Sequence, residues 1–328
     1  MHGDKLLAPP LLSIVLSFRN EAAVIPALLD RLEKVLGNTE LFYEIIFVND
    51  ASTDESLTLL KKKAAQDSRV KVLNMSRRFG VAPCASAGLR HAKGDAVIMM
   101  DADLQDPPEL IPQLIEKWRA GAEIAYTIRT SRDGESKFKI FLTHCAYKIL
   151  RVASSDVDLP VEAGDFRLLS RRVLDELLKI NDPAPYFRGL VRSLGFRQSP
   201  VYYEREKRFA GKSHFPLWSR GPMEAFLTGL LSFSTLPLDL SFYIGGGLTL
   251  LGFATLAILI SLKIFQHSVA FWIWGISFFA LIAGLQLFSV GLLGFYLSRI
   301  YRQTQNRPSY IIESSVNILS ETENIFSS

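Results

Sequence analysis

The chain has 328 residues, 48% of them hydrophobic, and a formal net charge of +4. That is long enough for one large domain with an appendage, and the mild basic bias accompanies no aromatic-basic repeat or nucleic-acid motif, so nucleic acid is not an expected partner. Its two cysteines, Cys84 and Cys145, have no nearby partner in sequence, and its five histidines lack ligand spacing, which excludes a disulfide framework and a histidine-based metal centre.

The N-terminal stretch "MHGDKLLAPPLLSIVLSF" lacks the order of a secretory signal, and its apolar piece is too short to span a bilayer. The front of the protein is therefore expected in the cytosol. From residue 11 to about 130 two periodicities alternate. "LLSIVLSF", "YEIIFVND", "VKVLNMS", "DAVIMMD" and "EIAYTIR" are short, nearly continuous apolar runs, the pattern of strands buried on both faces. Between them, "EAAVIPALLDRLEKVLG" carries apolar residues at helical steps and stops at Gly37. "DESLTLLKKKAAQD" starts at a capping residue, Thr53 or Asp54, and "PELIPQLIEKWRAG" opens on proline and closes at Gly121. Strands alternating with helices predict an α/β fold, a mostly parallel sheet with helices on both faces. Ligands of such sheets bind beyond the carboxyl ends of the strands, where Asn49-Asp50 and Asp101-Ala102-Asp103 fall.

No charged residue interrupts Leu240–Leu262 or Ser268–Ser298. About 20 apolar residues suffice to cross a bilayer, so a C-terminal two-helix transmembrane hairpin is expected, with spans of about 240–262 and 270–298. Arg205, Lys207, Arg208, Lys212 and Arg220 precede it and Arg299, Arg302 and Arg307 follow it, a distribution that places both termini in the cytoplasm. The organisation expected is a cytosolic catalytic domain over 1–212, an interfacial amphipathic helix or packed connector over 213–236, the hairpin within 237–298 and a cytosolic tail over 299–328. The tail beyond Pro308 carries little pattern of its own.

Chemistry concentrates in "IMMDADLQDPPEL", Ile98 to Leu110, where acidic residues crowd the end of a buried strand. Two aspartates one residue apart suit a hard divalent cation, Mg2+ or Mn2+, which takes oxygen ligands and shares them with substrate phosphates. A lone Asp-x-Asp is often only a turn; its place after "DAVIMM" is what makes it specific.

"LSFRNE", "FVNDASTD", "MDADLQDPPELIPQLIEKWRAGAE", "AGDFRLLSRR" and "RFAGKSHF" together resemble the successive signatures of family 2 glycosyltransferases, and more narrowly the membrane-anchored enzymes that load a sugar onto polyprenyl phosphate. The resemblance runs from about residue 11 to 312. It implies a GT-A fold and an inverting transfer from a nucleoside-diphosphate sugar, a uridine-linked glucose by similarity, to undecaprenyl phosphate at the inner, cytoplasmic membrane. It also implies a homo-oligomer. By the same resemblance Glu21, Asp50 and Asp101 line the nucleotide-sugar pocket, and Asp101, Asp103 and Gln105 hold the cation. Asp103 and Asp165 are the catalytic candidates, Asp165 either as base or as a carboxylate that orients the acceptor. Arg208 and Lys212 are implied phosphate ligands; Arg129, Arg132 and Lys137 are further ones, or else a solvated basic loop.

Simpler readings exist for some of these positions. Asp165 could cap a helix beginning near Ser170, and Asp50 and Asp54 could merely end a strand and start a helix. Ala51 stands where the family commonly has glycine, from which a turn without positive φ is expected. Other functions remain as alternatives: a processive polysaccharide synthase, which normally adds a Gln-x-x-Arg-Trp signature absent here, and a non-catalytic membrane-tethered nucleotide-sugar sensor, which has no use for Asp103 and Asp165 together.

Overall fold

Short runs of β-branched and aliphatic residues separated by amphipathic stretches fold as a layered sheet. A computed structural model describes residues 9–131, 163–180, 182, 185–204, 243–244, 247, 254, 261, 271–305 and 308–318, with only part of the side chains in 271–305. The strands are β1 (Leu11–Phe18), β2 (Phe42–Asn49), β3 (Val70–Met75), β4 (Ala96–Asp101), β5 (Ile124–Ser131), β6 (Ala163–Ser170), β7 (Gln198–Glu204) and β8 (Ile312–Val316). They form one eight-stranded sheet in the order β7-β5-β6-β4-β1-β2-β3-β8. The pairs β4–β1, β1–β2 and β2–β3 are parallel, as is β5–β7, whereas β6 and β8 run antiparallel to their neighbours.

Helices cover both faces because the strands alternate sides. Leu12, Ile14 and Leu16 of β1 pack with α1 (Ile25–Gly37), α2 (Ser56–Gln66) and α4 (Ile111–Arg119) in one cluster. Val15 of the same strand joins the other, with α3 (Val81–His91), α5 (Arg171–Lys179) and α6 (Phe187–Ser193). Leu28, Leu32 and Leu36 of α1 are fully buried, and each such side chain contributes about 1.5–3 kcal/mol.

The elements expected before residue 130 are present, with edges moved. Helix α1 starts at Ile25, after a turn over 22–24, and α2 at Ser56. A short 3-10 turn, Pro108–Leu110, precedes α4. Helix α3 has no sequence expectation because "VAPCASAGLRH" is short, made largely of small residues and carries a proline. Its Gly88 explains that composition: a Cβ there would lie 2.4 Å from Val15 Cγ1, so α3 approaches the sheet more closely than larger side chains allow.

The tail supplies an element the sequence did not signal. β8 adds to the edge at β3, and Asn317 Nδ2 donates to the carbonyls of Ala64 at 2.7 Å and Val70 at 2.8 Å. Among the described residues no helix is long and apolar enough to cross a membrane. The backbone of α7 runs over Phe271–Thr304, but most of 237–270 lies outside the described residues, so the expected hairpin is not shown.

Candidate active site

The parallel strands β1, β2 and β4 end on one edge of the sheet, and β6, running the other way, begins there. Strand β4 pairs with β6 in a register that reaches Met99↔Arg167. Asp101, the last residue of β4, and Asp165, near the start of β6, both lie beyond that pair, close enough for the Asp165 charge to act on the Asp101 carboxyl. Two aspartates far apart in sequence thus meet because an antiparallel strand is inserted beside a parallel one.

Beyond β4, burial alternates with a period of two. Asp101, Asp103 and Gln105 are half-buried, while Ala102, Leu104 and Asp106 are buried. Leu104 takes φ 57° and the N–H of Gln105 donates to Asp103 Oδ1 at 3.1 Å, which folds the segment into a tight turn. The carboxyl of Asp101 is pushed up to about 7 by burial and by the charges of Asp106, Asp103 and Asp165, with Arg129 opposing. Asp106 is wholly buried: Tyr203 Oη donates to its Oδ1 and Arg129 Nη2 lies 3.5 Å from the same atom. Its other oxygen, Oδ2, is buried with no hydrogen-bond partner.

A divalent cation fits this donor set. Like charges held together raise the Asp101 carboxyl, a penalty a cation removes. Among the described residues no group of three or more His, Cys, Asp or Glu side chains is disposed to hold a metal alone.

Asp165 has a different environment. Arg188 on α6 donates to it through two parallel bonds, Nε to Oδ1 at 2.9 Å and Nη2 to Oδ2 at 2.7 Å. Arg167 Nη2 lies 3.7 Å from Oδ1. Burial alone would raise this carboxyl, but Arg188, Arg167 and Arg129 outweigh it and hold it well below the usual range. It does not cap the following helix, because Ser170 does so, accepting from the N–H of Val173 at 3.3 Å.

The loops after β1 and β2 form the other wall. Asp50 accepts from the N–H of Phe79 at 2.6 Å and of Gly80 at 3.1 Å, so it ties the β2 end to the start of α3. Arg19 Nη1 donates to the Asp50 carbonyl at 2.8 Å. Asn20 and Ser52 cross-link the loops: the Asn20 N–H donates to Ser52 Oγ at 2.9 Å and the Thr53 N–H to Asn20 Oδ1 at 2.8 Å. Glu21 is buried behind them, its N–H donating to Ser56 Oγ at 3.0 Å. Asp54 bridges them, accepting from the N–H groups of Ala22 and Ser56 at 3.0 and 3.1 Å. The expectation for Ala51 is overturned: it sits at φ 50°. The cross-links dictate the turn there, and an alanine accepts its strain.

The structure thus brings together Asp101, Asp103, Asp106, Asp165 and Arg129, with Glu21 and Asp50 on the adjoining loops. Gln105 follows Asp103 in the same turn. Arg132, Lys137, Arg208 and Lys212 lie outside the described residues. Sequence reasoning missed Arg167, Arg188, Tyr203 and the inward aim of Asp106. Arg167 was within reach, two places along a strand from Asp165. Arg188 and Tyr203 were not, since their roles arise from α6 and β7 packing onto β6 and β5.

Residues 13–178 match the sequence model of Glycosyl transferase family 2. A Bacillus subtilis protein named uncharacterized glycosyltransferase YkcC is 39% identical over 93% of this chain and 94% of its own length. The SfII prophage-derived bactoprenol glucosyl transferase of Shigella flexneri is 35% identical, over 93% of this chain and 98% of its own. Glucosyl-3-phosphoglycerate synthase of Mycobacterium tuberculosis has a similar fold, with a TM-score of 0.50 and 20% identity, over 69% of this chain and 80% of that one. The chain belongs to glycosyl transferase family 2 and is a glycosyltransferase with a GT-A-like α/β fold.

Proposed function

We propose that the enzyme moves glucose from a nucleoside-diphosphate sugar, uridine-linked, to a polyprenyl phosphate such as undecaprenyl phosphate, with inversion, at the cytoplasmic face of the inner membrane. The observation that carries the reading is the proximity of Asp101 and Asp165 at the ends of β4 and β6, one carboxyl crowded by like charge and the other gripped by arginine. The bactoprenol glucosyl transferase of Shigella flexneri supports the choice of sugar and acceptor.

The nucleophile is the lipid phosphate oxygen, attacking the anomeric carbon as the nucleoside diphosphate departs. A phosphate monoester has a second pKa of about 6, so at neutral pH it is mostly dianionic and needs little deprotonation. Its obstacle is approach to a diphosphate of like sign. Asp101, Asp103 and Gln105 would hold a divalent cation, Mg2+ or Mn2+, which neutralises charge on the leaving diphosphate. A carboxylate paired with a bidentate arginine is a weak base, so Asp165 orients a sugar hydroxyl or the acceptor instead. Glu21 and Asp50 line the nucleotide side, with Asp50 fixing the β2 loop to α3. Arg129 and the basic positions Arg132, Lys137, Arg208 and Lys212 serve phosphate, either the donor's or the lipid's.

A polyprenyl tail stays in the bilayer, so the pocket has to sit at headgroup height. The uncharged runs of 240–262 and 270–298, read as a membrane hairpin, and an interfacial segment over 213–236 meet that need, with the 1–212 domain and both termini in the cytoplasm. The enzyme works as a homo-oligomer in this reading.

The test is a donor screen with undecaprenyl phosphate and either metal, following labelled sugar into the organic phase. Label in long water-soluble polymer would favour a processive synthase, and nucleotide binding without turnover a sensor. Full activity of Asp103→Ala in chelator would sink the cation assignment.

A further inference from the structure

We propose that Asn74, on β3, is a positioning residue for the donor pocket, and that the C-terminal strand β8 holds it in place through Glu313. The inference rests on the reading of the β2 loop as a wall of the nucleotide-sugar site.

Three side chains make a directed line beneath that loop. The Ser52 N–H donates to Asn49 Oδ1 at 3.1 Å, Asn49 Nδ2 donates to Asn74 Oδ1 at 2.7 Å, and Asn74 Nδ2 donates to Glu313 Oε2 at 2.7 Å. Each direction follows from the one before. A backbone N–H can only donate, so Asn49 presents oxygen to Ser52 and nitrogen to Asn74. Asn74 must then present oxygen inward and nitrogen outward, where a carboxylate is the matching end. Asn49 is 1% and Asn74 7% exposed, so the bond between the two amides is sealed from water, while Glu313 at the outer end of the line is exposed.

The supported loop needs support. Asn20 and Ala51, at φ 55° and 50°, are both non-glycine residues in the left-handed region, and such conformations persist only where surroundings over-determine them. Ser52 is the junction: its N–H is held by Asn49 and its hydroxyl accepts from Asn20. β8 arrives at the outer side of β3, where the register shifts between Asn74 and Met75, and there Glu313 meets Asn74. A strand at the far end of the chain, beyond the long helix α7, thereby becomes part of the pocket's foundation.

The test uses reversal of one bond in the full-length protein. Asn74→Asp keeps an acceptor for Asn49 but sets two carboxylates against each other; adding Glu313→Gln restores a donor facing an acceptor. The measurements are nucleoside-diphosphate binding, donor KM and kcat, and melting temperature. Asn74→Asp should weaken donor binding and raise donor KM about five- to tenfold, with kcat changed less than twofold, as expected for a buried amide left badly paired. The double variant should return KM to within about twofold of wild type. Donor binding and KM unchanged in Asn74→Asp, or a fall in melting temperature alone, overturns the inference. So does a double variant no better than the single one. If wild type itself binds no nucleoside diphosphate, the pocket assignment has failed and takes the inference with it.

Discussion

Arg188 and Asp165 are locked fork to fork, with bonds of 2.9 and 2.7 Å from one guanidinium to both carboxylate oxygens. The pair decides what Asp165 can do. Its carboxyl lies well below the usual range, so it is fully ionised wherever the enzyme works and has little affinity for a proton. Asp165→Asn is expected to lower kcat about a hundredfold or more, by a factor that stays flat between about pH 6 and pH 9. Rate recovery at the alkaline end would restore the base role. Arg188→Lys keeps the charge but loses the fork, and is expected to reduce kcat with donor KM preserved. The pair's contribution to stability has a definite sign. The folded pKa is depressed, so the contribution is complete above the ordinary carboxylate value of about 4 and fades on acidification below it.

Asp101 has the opposite sign. Its folded pKa, raised to about 7, lies above the ordinary value. As pH rises from about 4, the unfolded chain loses this proton first, so the folded state weakens, and the penalty is complete only above the folded value. Asp101→Asn, assayed in chelator, is expected to melt at a higher temperature than wild type at about pH 8 and to show no advantage at about pH 4. Adding Mg2+ or Mn2+ should stabilise wild type and leave the variant unmoved. The same variant is expected to be inactive. A variant no more stable than wild type in chelator contradicts the crowding of Asp101 by Asp103, Asp106 and Asp165.

How much of this was legible in the sequence follows from where each signal lives. Strands β1 to β5 announce themselves as short, nearly continuous apolar runs because both their faces are covered, and helices α1, α2 and α4 because burial on one face writes a periodic pattern. Helix α3 does not, because close packing at Gly88 goes with a short run of small residues that carries no large apolar stripe. β8 is legible neither by length nor by pattern; an edge strand is specified by the partner it finds. The acidic turn at 101–106 is legible as a crowded site, since three carboxylates in six positions need an explanation. Arg188 and Tyr203 were not, because the register of β6 and the packing of α6 and β7 set their distances to Asp165 and Asp106. Ala51 departs from the sequence expectation for a related reason: positive φ ordinarily calls for glycine, whereas here the hydrogen bonds around Asn20 and Ser52 impose it on an alanine.

That strain offers a direct measurement. A non-glycine residue at φ 50° carries about 1–2 kcal/mol of strain, and glycine's extra freedom in the unfolded chain offsets about 0.5–1 kcal/mol of the relief. Ala51→Gly is therefore expected to stabilise the protein by about 0.5–1 kcal/mol in urea unfolding. Donor KM should change little, because the hydrogen bonds that shape the loop come from its neighbours. A destabilised Ala51→Gly variant would mean that the Ala51 methyl makes a contact worth more than the strain.

The opposite edge of the sheet, where the parallel strands begin, answers to stability alone. Glu44 on β2 is 4% exposed and collects three donors: Ser13 Oγ at 2.5 Å, the Lys93 N–H at 2.7 Å and Lys71 Nζ. Burial would raise its carboxyl, yet the bonds from Lys71, Ser13 and Lys93 prevail and leave it below the ordinary value. Ser13 Oγ also accepts from the Gly94 N–H at 2.8 Å, so one carboxylate organises the entry to β1, β2 and β4. Glu44→Ala leaves the largely buried Lys71 ammonium without its partner and should cost about 3–5 kcal/mol. Adding Lys71→Met removes the stranded charge and should recover about 1–2 kcal/mol of that loss, the remainder persisting because the Ser13 hydroxyl and Lys93 N–H still lack an acceptor. The wild-type advantage over Glu44→Ala should shrink as pH falls below about 4, where the carboxyl begins to protonate. At a temperature where both variants stay folded, kcat and donor KM should match wild type, because the network lies a full strand length from Asp101. A changed KM would show that the two edges of the sheet are coupled.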